Sequence, residues 1–308
     1  MYNENIKIRY IKEKESTTNT PKDYLTRLFN KTETFEERLE KDICNFTTYE
    51  IIDFYKTLNI TSVDSLAVLN SHLSIYTQWC MQQNLVIDCQ NHFFEIDSNS
   101  FVDYINTAMF KKSIITKNTL YNWLSQLENA SDAFIMLALF EGIKGKEFCE
   151  LVNLKMSDFN GNKVKLCTGR ELIVSDKLVS LAKESNDTMI YYSVTAGKEK
   201  RVPFLDEDLI IKNYPNCQET NSFYQGRRIY RRLLRNFESM GISKWMKPNS
   251  LVDSGKIDFI NTRSKELGIT AKEYIYNPEC VKEFDYRYEY DMTRLRKSFI
   301  NKYGEYLI

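Results

Sequence analysis

Residues 140–159 read FEGIKGKEFCELVNLKMSDF, and the interpretation of the whole chain turns on them. The stretch predicts a helix, a glycine turn at Gly142, a second helix over 145–153 and an exit into a strand. A residue just past such a turn sits at a helix N-terminus, where unpaired N–H groups and the helix dipole favour an anion. Lys144 adds a cation at that place, which makes a phosphate site. An exposed turn lysine is the simpler reading of the stretch taken alone.

At 308 residues the chain has the length of two domains. Its 43% hydrophobic and 13% aromatic content is enough for real cores. No apolar run reaches the length of a membrane span. The opening MYNENIKIRYIKEKES has charges where a secretory signal needs an apolar segment, so a cytoplasmic protein is expected. Seven cysteines, at 44, 80, 89, 149, 167, 217 and 280, form no C-x-x-C pair. Neither a metal site nor a disulfide framework is expected from them, and they read as buried or inert thiols. No cofactor motif is present. With 42 basic and 42 acidic residues, the net charge excludes a uniformly basic nucleic-acid binder. Any DNA contact must come from a local concentration of charge.

Residues 1–20 read as a polar arm or short edge strand, with Ile6, Ile8 and Tyr10 alternating against Lys7 and Arg9. From about 22 to 87 the pattern is helical. Thr47 or Thr48 caps a helix running through Leu58, with Glu50 placed for a capping interaction. Ser62 caps a longer helix whose Val63, Leu66, Leu69, Leu73, Tyr76 and Cys80 step by three and four into one buried stripe. Its other face carries Asn70, Ser71, Ser74, Gln78 and Gln82. Such a face is either merely solvated or, since amides read base edges, turned to DNA. CQNHFFEIDSNS, 89–100, breaks the periodicity and sets a domain boundary near 97–112. Helices follow at 117–128 and 131–141. KVKLC and RELIV, around Thr168 and Gly169, read as paired strands leading to a helix from Asp176. MIYYSV is a third strand, followed by a loop with Pro203 and Pro215. Helices resume at 224–240, 254–267 and 291–303. The domains are therefore an arm (1–20), a helical domain (21–97) and a larger domain with a C-terminal tail (98–308).

The segment YQGRRIYRRLLRNFESMGI carries the strongest charge signal. With 100° of turn per residue, Leu233, Phe237 and Met240 fall within about 80° of Ile229. Arg227, Arg228, Arg231, Arg232 and Arg235 are read as the opposite face, with Lys244 and Lys247 extending the patch. Guanidinium is a planar fork that matches phosphate oxygens and stays charged at any physiological pH. The bland reading is a solvated face paired with acids elsewhere in the fold.

Gly142, Glu147, Leu151, Leu154 and Asp158 of the opening stretch align with the first active-site box of the tyrosine recombinase (phage integrase) family, usually G-L-R-x-x-E-L…L-x-W-x-D, which it resembles. TTYEIIDFYKTLN and the helix from Ser62 are similar to the family's helical core-binding domain. KVKLCTGRELIVSDKLVSLA resembles the strand pair and helix after the first box, and the helix 224–240 with GISKWMKP resembles the approach to the second. The resemblance implies a mainly α fold with a small β-sheet: a helical SAM-like core-binding domain plus an α/β catalytic-like domain.

In that family a tyrosine attacks a DNA phosphate, two arginines neutralise the phosphorane, and a lysine and a histidine move protons. Here the first-box arginine falls on Lys144, and the second box, H-x-L-R, on Asn249-Ser250-Leu251-Val252. The later His or Trp falls near Tyr276 or Asn277. The strand-pair base falls on Lys165 or Arg170, and the nucleophile on Tyr286, Tyr288 or Tyr290. The chain's two histidines are His72 and His92, and no arginine stands between Arg38 and Arg170, so no shift of register restores either box. Each lost charge-stabilising donor costs about 3–4 kcal/mol of barrier, and two cost about 10⁴–10⁶ in rate if additive.

The expectation is therefore binding to double-stranded DNA without cleavage, and the departures resemble the recombinase-fold lysogeny repressors of SPβ-like Bacillus phages. A repressor of that kind would hold operator phosphates through Lys144, Arg170, Arg227, Arg228, Arg231, Arg232, Arg235, Lys244, Lys247 and Asn249. Base readout would come from the 62–85 helix or from Lys117, Asn118 and Asn122. Met292, Leu295 and Phe299 form a tail stripe which, by the resemblance, would dock on a neighbouring subunit in a homo-oligomer. The alternatives are a divergent active recombinase and an interaction protein whose arginines pair with protein acids.

Overall fold

A computed structural model describes residues 1–17, 22–195, 198–215 and 222–308. The chain divides into two compact units, Met1–Lys111 and Lys112–Ile308. The division falls at the far end of the 97–112 stretch expected to hold the boundary, so residues 98–111 group with the first unit.

The first unit opens with α1 (Glu4–Thr17), followed by α2 (Lys22–Leu39), α3 (Thr48–Thr57) and α4 (Val63–Gln82). The expected arm or edge strand is therefore a helix. Among the described side chains of α1 the buried ones are Lys7, Tyr10 and Ile11, spaced at three and four. Hydropathy hides this face because one of its members is a lysine. Lys7 is buried in an ion pair with Glu36, whose carboxylate also accepts from Thr32 Oγ1 at 2.6 Å and from the Ile43 amide at 2.8 Å. Thr47 caps α3 in a reciprocal box with Glu50, and Ser62 caps α4 by accepting from the Ser65 amide. Tyr10, Phe29 and Tyr76 meet edge to face with centroids 4.8–5.9 Å apart. On α4, Leu66, Leu69, Leu73, Tyr76 and Cys80 are buried as the stripe requires, while Val63 stays 36% exposed. After two 3₁₀ turns, α5 (Thr107–Ser113) contains the point of division.

The second unit is built around α7 (Ala130–Phe140), every residue of which is buried. α6 (Lys117–Leu124) precedes it, and α8 (Cys149–Val152) follows the glycine turn. Then β1 (Phe159–Asn160), β2 (Lys163–Lys165) and β3 (Glu171–Ile173) form an antiparallel sheet in that order, with Val164 opposite Leu172. The helix α9 (Asp176–Asp187), capped by Ser175, packs on α7. A separate antiparallel hairpin, β4 (Ile190–Thr195) and β5 (Lys198–Pro203), follows; β5 lies where a loop was expected. Next come α10 (Ser222–Ser239) and α11 (Pro248–Leu267), which starts six residues before the sequence reading put it because Pro248 suits a first helical turn. The chain ends in α12 (Ala271–Tyr276), α13 (Pro278–Tyr288) and α14 (Met292–Tyr303).

The tail stripe is used within the chain. Met292 and Phe299 are buried, and Phe299 packs on Phe284, Tyr290 and Tyr303 at 4.8–5.8 Å. Asn261 Nδ2 donates to the Tyr306 carbonyl at 2.8 Å and holds the last turn down. Met292 and Phe299 of the stripe are thus covered by their own unit, while Leu295 between them is half-buried. Among the described residues no helix is long and apolar enough to cross a membrane.

α11 crosses α7 at Gly255. A Cβ there would come within 1.8 Å of the Phe140 carbonyl oxygen. Gly255→Ala is expected to lower unfolding free energy by about 3 kcal/mol through overpacking, read as a lower urea midpoint at an unchanged m-value.

Candidate nucleic-acid interface

The glycine turn after α7 forms for a steric reason. Gly142 has φ +93°, and a Cβ on it would meet the Arg287 carbonyl at 2.7 Å. Gly145 follows at φ +66°. The expected helix over 145–153 is broken. Residues 146–148 make a 3₁₀ turn in which Glu147 and Phe148 have φ 55° and 66°, and only α8 is regular. Left-handed backbone at two bulky residues costs on the order of 1–3 kcal/mol each and persists only where neighbours enforce it. The neighbour here is α10: a Cβ on its Gly226 would lie 2.0 Å from the Glu147 carbonyl oxygen. The arginine-rich helix is thereby pressed onto the box.

Glu150 organises this turn. Fully buried, it accepts from the Lys144 amide (2.9 Å), Thr168 Oγ1 (2.5 Å), Arg170 Nε (3.0 Å) and Arg170 Nη2 (2.5 Å). Arg170 also donates to the carbonyls of Gly142 (3.2 Å), Tyr286 (2.9 Å) and Arg287 (2.6 Å). Glu289 Oε1 stands 3.7 Å away. With 8% exposure and these partners, Arg170 is a structural tie, not the phosphate contact or strand-pair base expected of it. Lys165, on β2, remains exposed. Glu147, which the resemblance set on the box glutamate, is exposed, whereas Glu150 is the buried carboxylate. Its role had one sequence signal, an acid between the apolar Phe148 and Leu151.

The two segments that the resemblance set on the boxes come together. Lys144 Nζ donates to Asn249 Oδ1 at 3.0 Å. Asn249 lies in the first turn of α11 and is exposed, while Val252, one turn on, is 8% exposed and faces the core. Of the tail tyrosines, Tyr288 is buried with its hydroxyl donating to the Phe140 carbonyl at 3.1 Å. Burial raises its pKa above the ordinary phenol value. Tyr290 packs on Phe284 and Phe299 with Lys256 over its ring. Tyr286 is half-exposed, and its hydroxyl accepts from the Glu171 amide at 2.8 Å. Asn277 is the N-cap of α13, accepting from the Glu279 and Cys280 amides; beside it Tyr276 lies under Arg296. These contacts make Asn277 and Tyr288 structural.

On α10, Ile229, Leu233 and Phe237 are buried as expected. Arg232 is buried with them, at 3% exposure, paired with Asp132 (2.6 Å) and donating to Ser131 Oγ (2.5 Å), with Tyr191 against its guanidinium. It is therefore no DNA contact. It lies only about 60° from Ile229 on the wheel, so its place on the flank of the apolar face was readable. Arg228 is half-buried against Tyr214 and donates to Asn213 Oδ1 at 3.0 Å. Arg227, Arg231 and Arg235 are exposed and lie four residues apart along one line. Lys244 and Lys247 are exposed beyond the helix, Lys247 Nζ reaching the Ser243 carbonyl. Lys117 and Asn118 start α6, with Lys117 half-buried over Tyr121 and Asn118 and Asn122 exposed. On the polar face of α4, Asn70 accepts from the Tyr55 hydroxyl and Ser74 is buried under Asn91, which leaves Ser71, Gln78 and Gln82 as its exposed members. Among the described residues no group of acids, histidines and cysteines could hold a metal ion. Cys217 lies outside them.

A helical unit followed by a mixed unit, with a glycine box, a three-stranded sheet and a basic helix leading into a second box, defines a tyrosine recombinase-like fold. A solved lambda integrase dimer bound to a COC′ core site has this fold, with a TM-score of 0.53 and 13% identity over 98% of this chain and 96% of that one. The chain belongs to the MrpR family: residues 1–82 match its N-terminal core-binding domain and residues 114–304 its C-terminal catalytic domain. It is also 23% identical to YopR, an SPbeta prophage-derived protein of Bacillus subtilis strain 168, over 98% of this chain and 96% of YopR.

Arg232→Ala leaves the buried Asp132 carboxylate without its cation, with only the Tyr191 hydroxyl and the Asn129 amide still donating to it, and is expected to cost about 3–5 kcal/mol of stability. Arg231→Ala should stay within about 0.5 kcal/mol. Urea unfolding of the two variants separates the buried arginine from the exposed one.

Proposed function

We propose that this protein binds duplex DNA without cutting it and acts as a transcriptional repressor that maintains a prophage. One observation carries the reading. Where the family has its first-box arginine and second-box histidine stand Lys144 and Asn249, hydrogen-bonded to each other. Where it has its second arginine stands Val252, turned into the core. An ammonium is a point charge that attracts a phosphate without clamping two of its oxygens. Asparagine does not titrate and gives no general base. The prophage relative supports the setting.

The affinity would come from Lys144, Lys244 and Lys247 with the exposed line Arg227, Arg231 and Arg235, and Arg228 at its edge. Phosphate contacts of this kind position a protein and carry no sequence information. Readout would fall to Ser71, Gln78 and Gln82 on α4, or to Asn118 and Asn122 on α6. A divergent active recombinase would need Tyr286, the most exposed of the tail tyrosines.

A nicked suicide duplex separates the two readings: no covalent protein–DNA adduct is expected. An adduct that disappears in Tyr286→Phe would overturn the proposal. On random-sequence duplex, log K should fall linearly with log salt concentration, and each phosphate contact removed should flatten the slope by about 0.9. Replacing Arg227, Arg231 and Arg235 together by alanine should flatten it by nearly three such steps while the melting transition is kept. A wild-type slope near zero would favour an interaction protein without a DNA role.

A further inference from the structure

Cys149 and Cys167 stand side by side where α8 meets the β2–β3 turn, and neither takes part in the proposed DNA contact. The Cys149 sulfur rests against the bare Cα of Gly145, where a Cβ would come within 2.5 Å of it. Cys167 is exposed and its Sγ donates to the Cys149 carbonyl at 3.4 Å. Asn153 Nδ2 donates to the same carbonyl at 2.7 Å and stands 4.0 Å from Cys167 Sγ. The next residue of each segment repeats the contact: Thr168 Oγ1 donates to Glu150 Oε1 at 2.5 Å. The two segments are therefore held in register, with the Cys167 thiol on the backbone of Cys149. Burial first, then Cys167 and Glu150, raise the Cys149 thiol above its ordinary pKa, so the exposed Cys167 is the thiol that meets an oxidant. Cys44 and Cys80, also neighbours, are both buried in the first unit. Cys280 is buried and Cys89 is exposed. Among the described residues, Cys149 and Cys167 are thus the adjacent pair open to solvent.

We propose that Cys149 and Cys167 form a reversible disulfide when the protein meets a peroxide. Cys167, as thiolate, attacks one peroxide oxygen. The O–O bond breaks, the second oxygen leaves as hydroxide and takes up the thiol's proton as water, and Cys167 becomes a sulfenic acid. The Cys149 sulfur then attacks the Cys167 sulfur, the S–O bond breaks, and the Cys149 proton leaves with that hydroxyl as a second water. Two thiols and one peroxide yield one disulfide and two waters, with two electrons passing from sulfur to oxygen. The new bond runs beside the Thr168–Glu150 hydrogen bond and fastens the box turn to the hairpin covalently.

The test treats the folded chain with hydrogen peroxide, blocks remaining thiols, digests without reduction and reads the peptides by mass spectrometry. The expected product is one peptide pair joining Cys149 to Cys167, lighter than its separate parts by two hydrogen atoms. It should be released by dithiothreitol and absent from Cys149→Ser and from Cys167→Ser. In Cys149→Ser, dimedone should trap the Cys167 sulfenic acid. Wild-type protein in which Cys167 stays alkylatable overturns the proposal. So does oxidation of Cys167 to sulfinic acid without a cross-link, or its pairing with a second chain. Far-UV circular dichroism of each variant confirms that a missing cross-link does not come from unfolding.

Discussion

The second unit depends on one desolvated ion pair. Arg170 and Glu150 are both withdrawn from water, and the cost of that is offset only because every strong hydrogen-bonding direction is used. Glu150 takes donors from three sources, and Arg170 reaches three carbonyls besides. Those partners belong to the glycine turn, the β2–β3 hairpin and the end of α13. The pair thus fixes where Lys144 leaves the turn, because the Lys144 amide is itself one of the donors to Glu150. A replacement that kept the charge but not the fork, such as lysine at 170, would leave several of these groups unpaired.

The same principle explains where sequence reading succeeded and failed on the fold. Capping chemistry is local, so Thr47 with Glu50 and Ser62 marked the starts of α3 and α4 correctly. Apolar periodicity is local too, and it placed Leu66, Leu69, Leu73 and Tyr76 inside. A buried cation is not local. Lys7 and Arg232 are inside because of Glu36 and Asp132, acids remote in sequence. Without those partners, α1 read as an alternating strand and α10 as a face of five outward guanidiniums. The hairpin strand β5 was missed because KEKRVP offers charge where a strand pattern offers apolar residues, and it is held by pairing with β4 rather than by burial.

For the site, the resemblance pointed to two segments, and Lys144 of one is hydrogen-bonded to Asn249 of the other. The sequence could not distribute roles among neighbours one turn apart. Glu147 and Glu150 have the same chemistry, and only the left-handed backbone at 147–148, pressed by Gly226, decides which carboxylate turns inward. The tail tyrosines pose the same problem. Tyr286 and Tyr288 are two residues apart on α13, yet one hydroxyl meets a strand amide at the surface and the other a buried helix carbonyl.

The packing of α11 bears on how far the proposed loss of cleavage is built in. Val252 faces the core one turn into a helix whose Gly255 sits against the Phe140 carbonyl, with no room to slide. An arginine at 252 would have to lose its hydration without a partner or displace α11 from α7, and either costs several kcal/mol. Restoring the side chain alone would therefore not restore a phosphate clamp. Transition-state stabilisation needs donors about 3 Å from the oxygen on which charge develops, and such placement does not survive a shifted helix. Holding a polyanion is less demanding, because it depends mainly on how many phosphates are neutralised. The exposed cations at 227, 231, 235, 244 and 247, with the half-buried Lys144, meet that requirement without a phosphate clamp, so on the proposed reading this architecture keeps its grip on DNA after its cutting chemistry has gone.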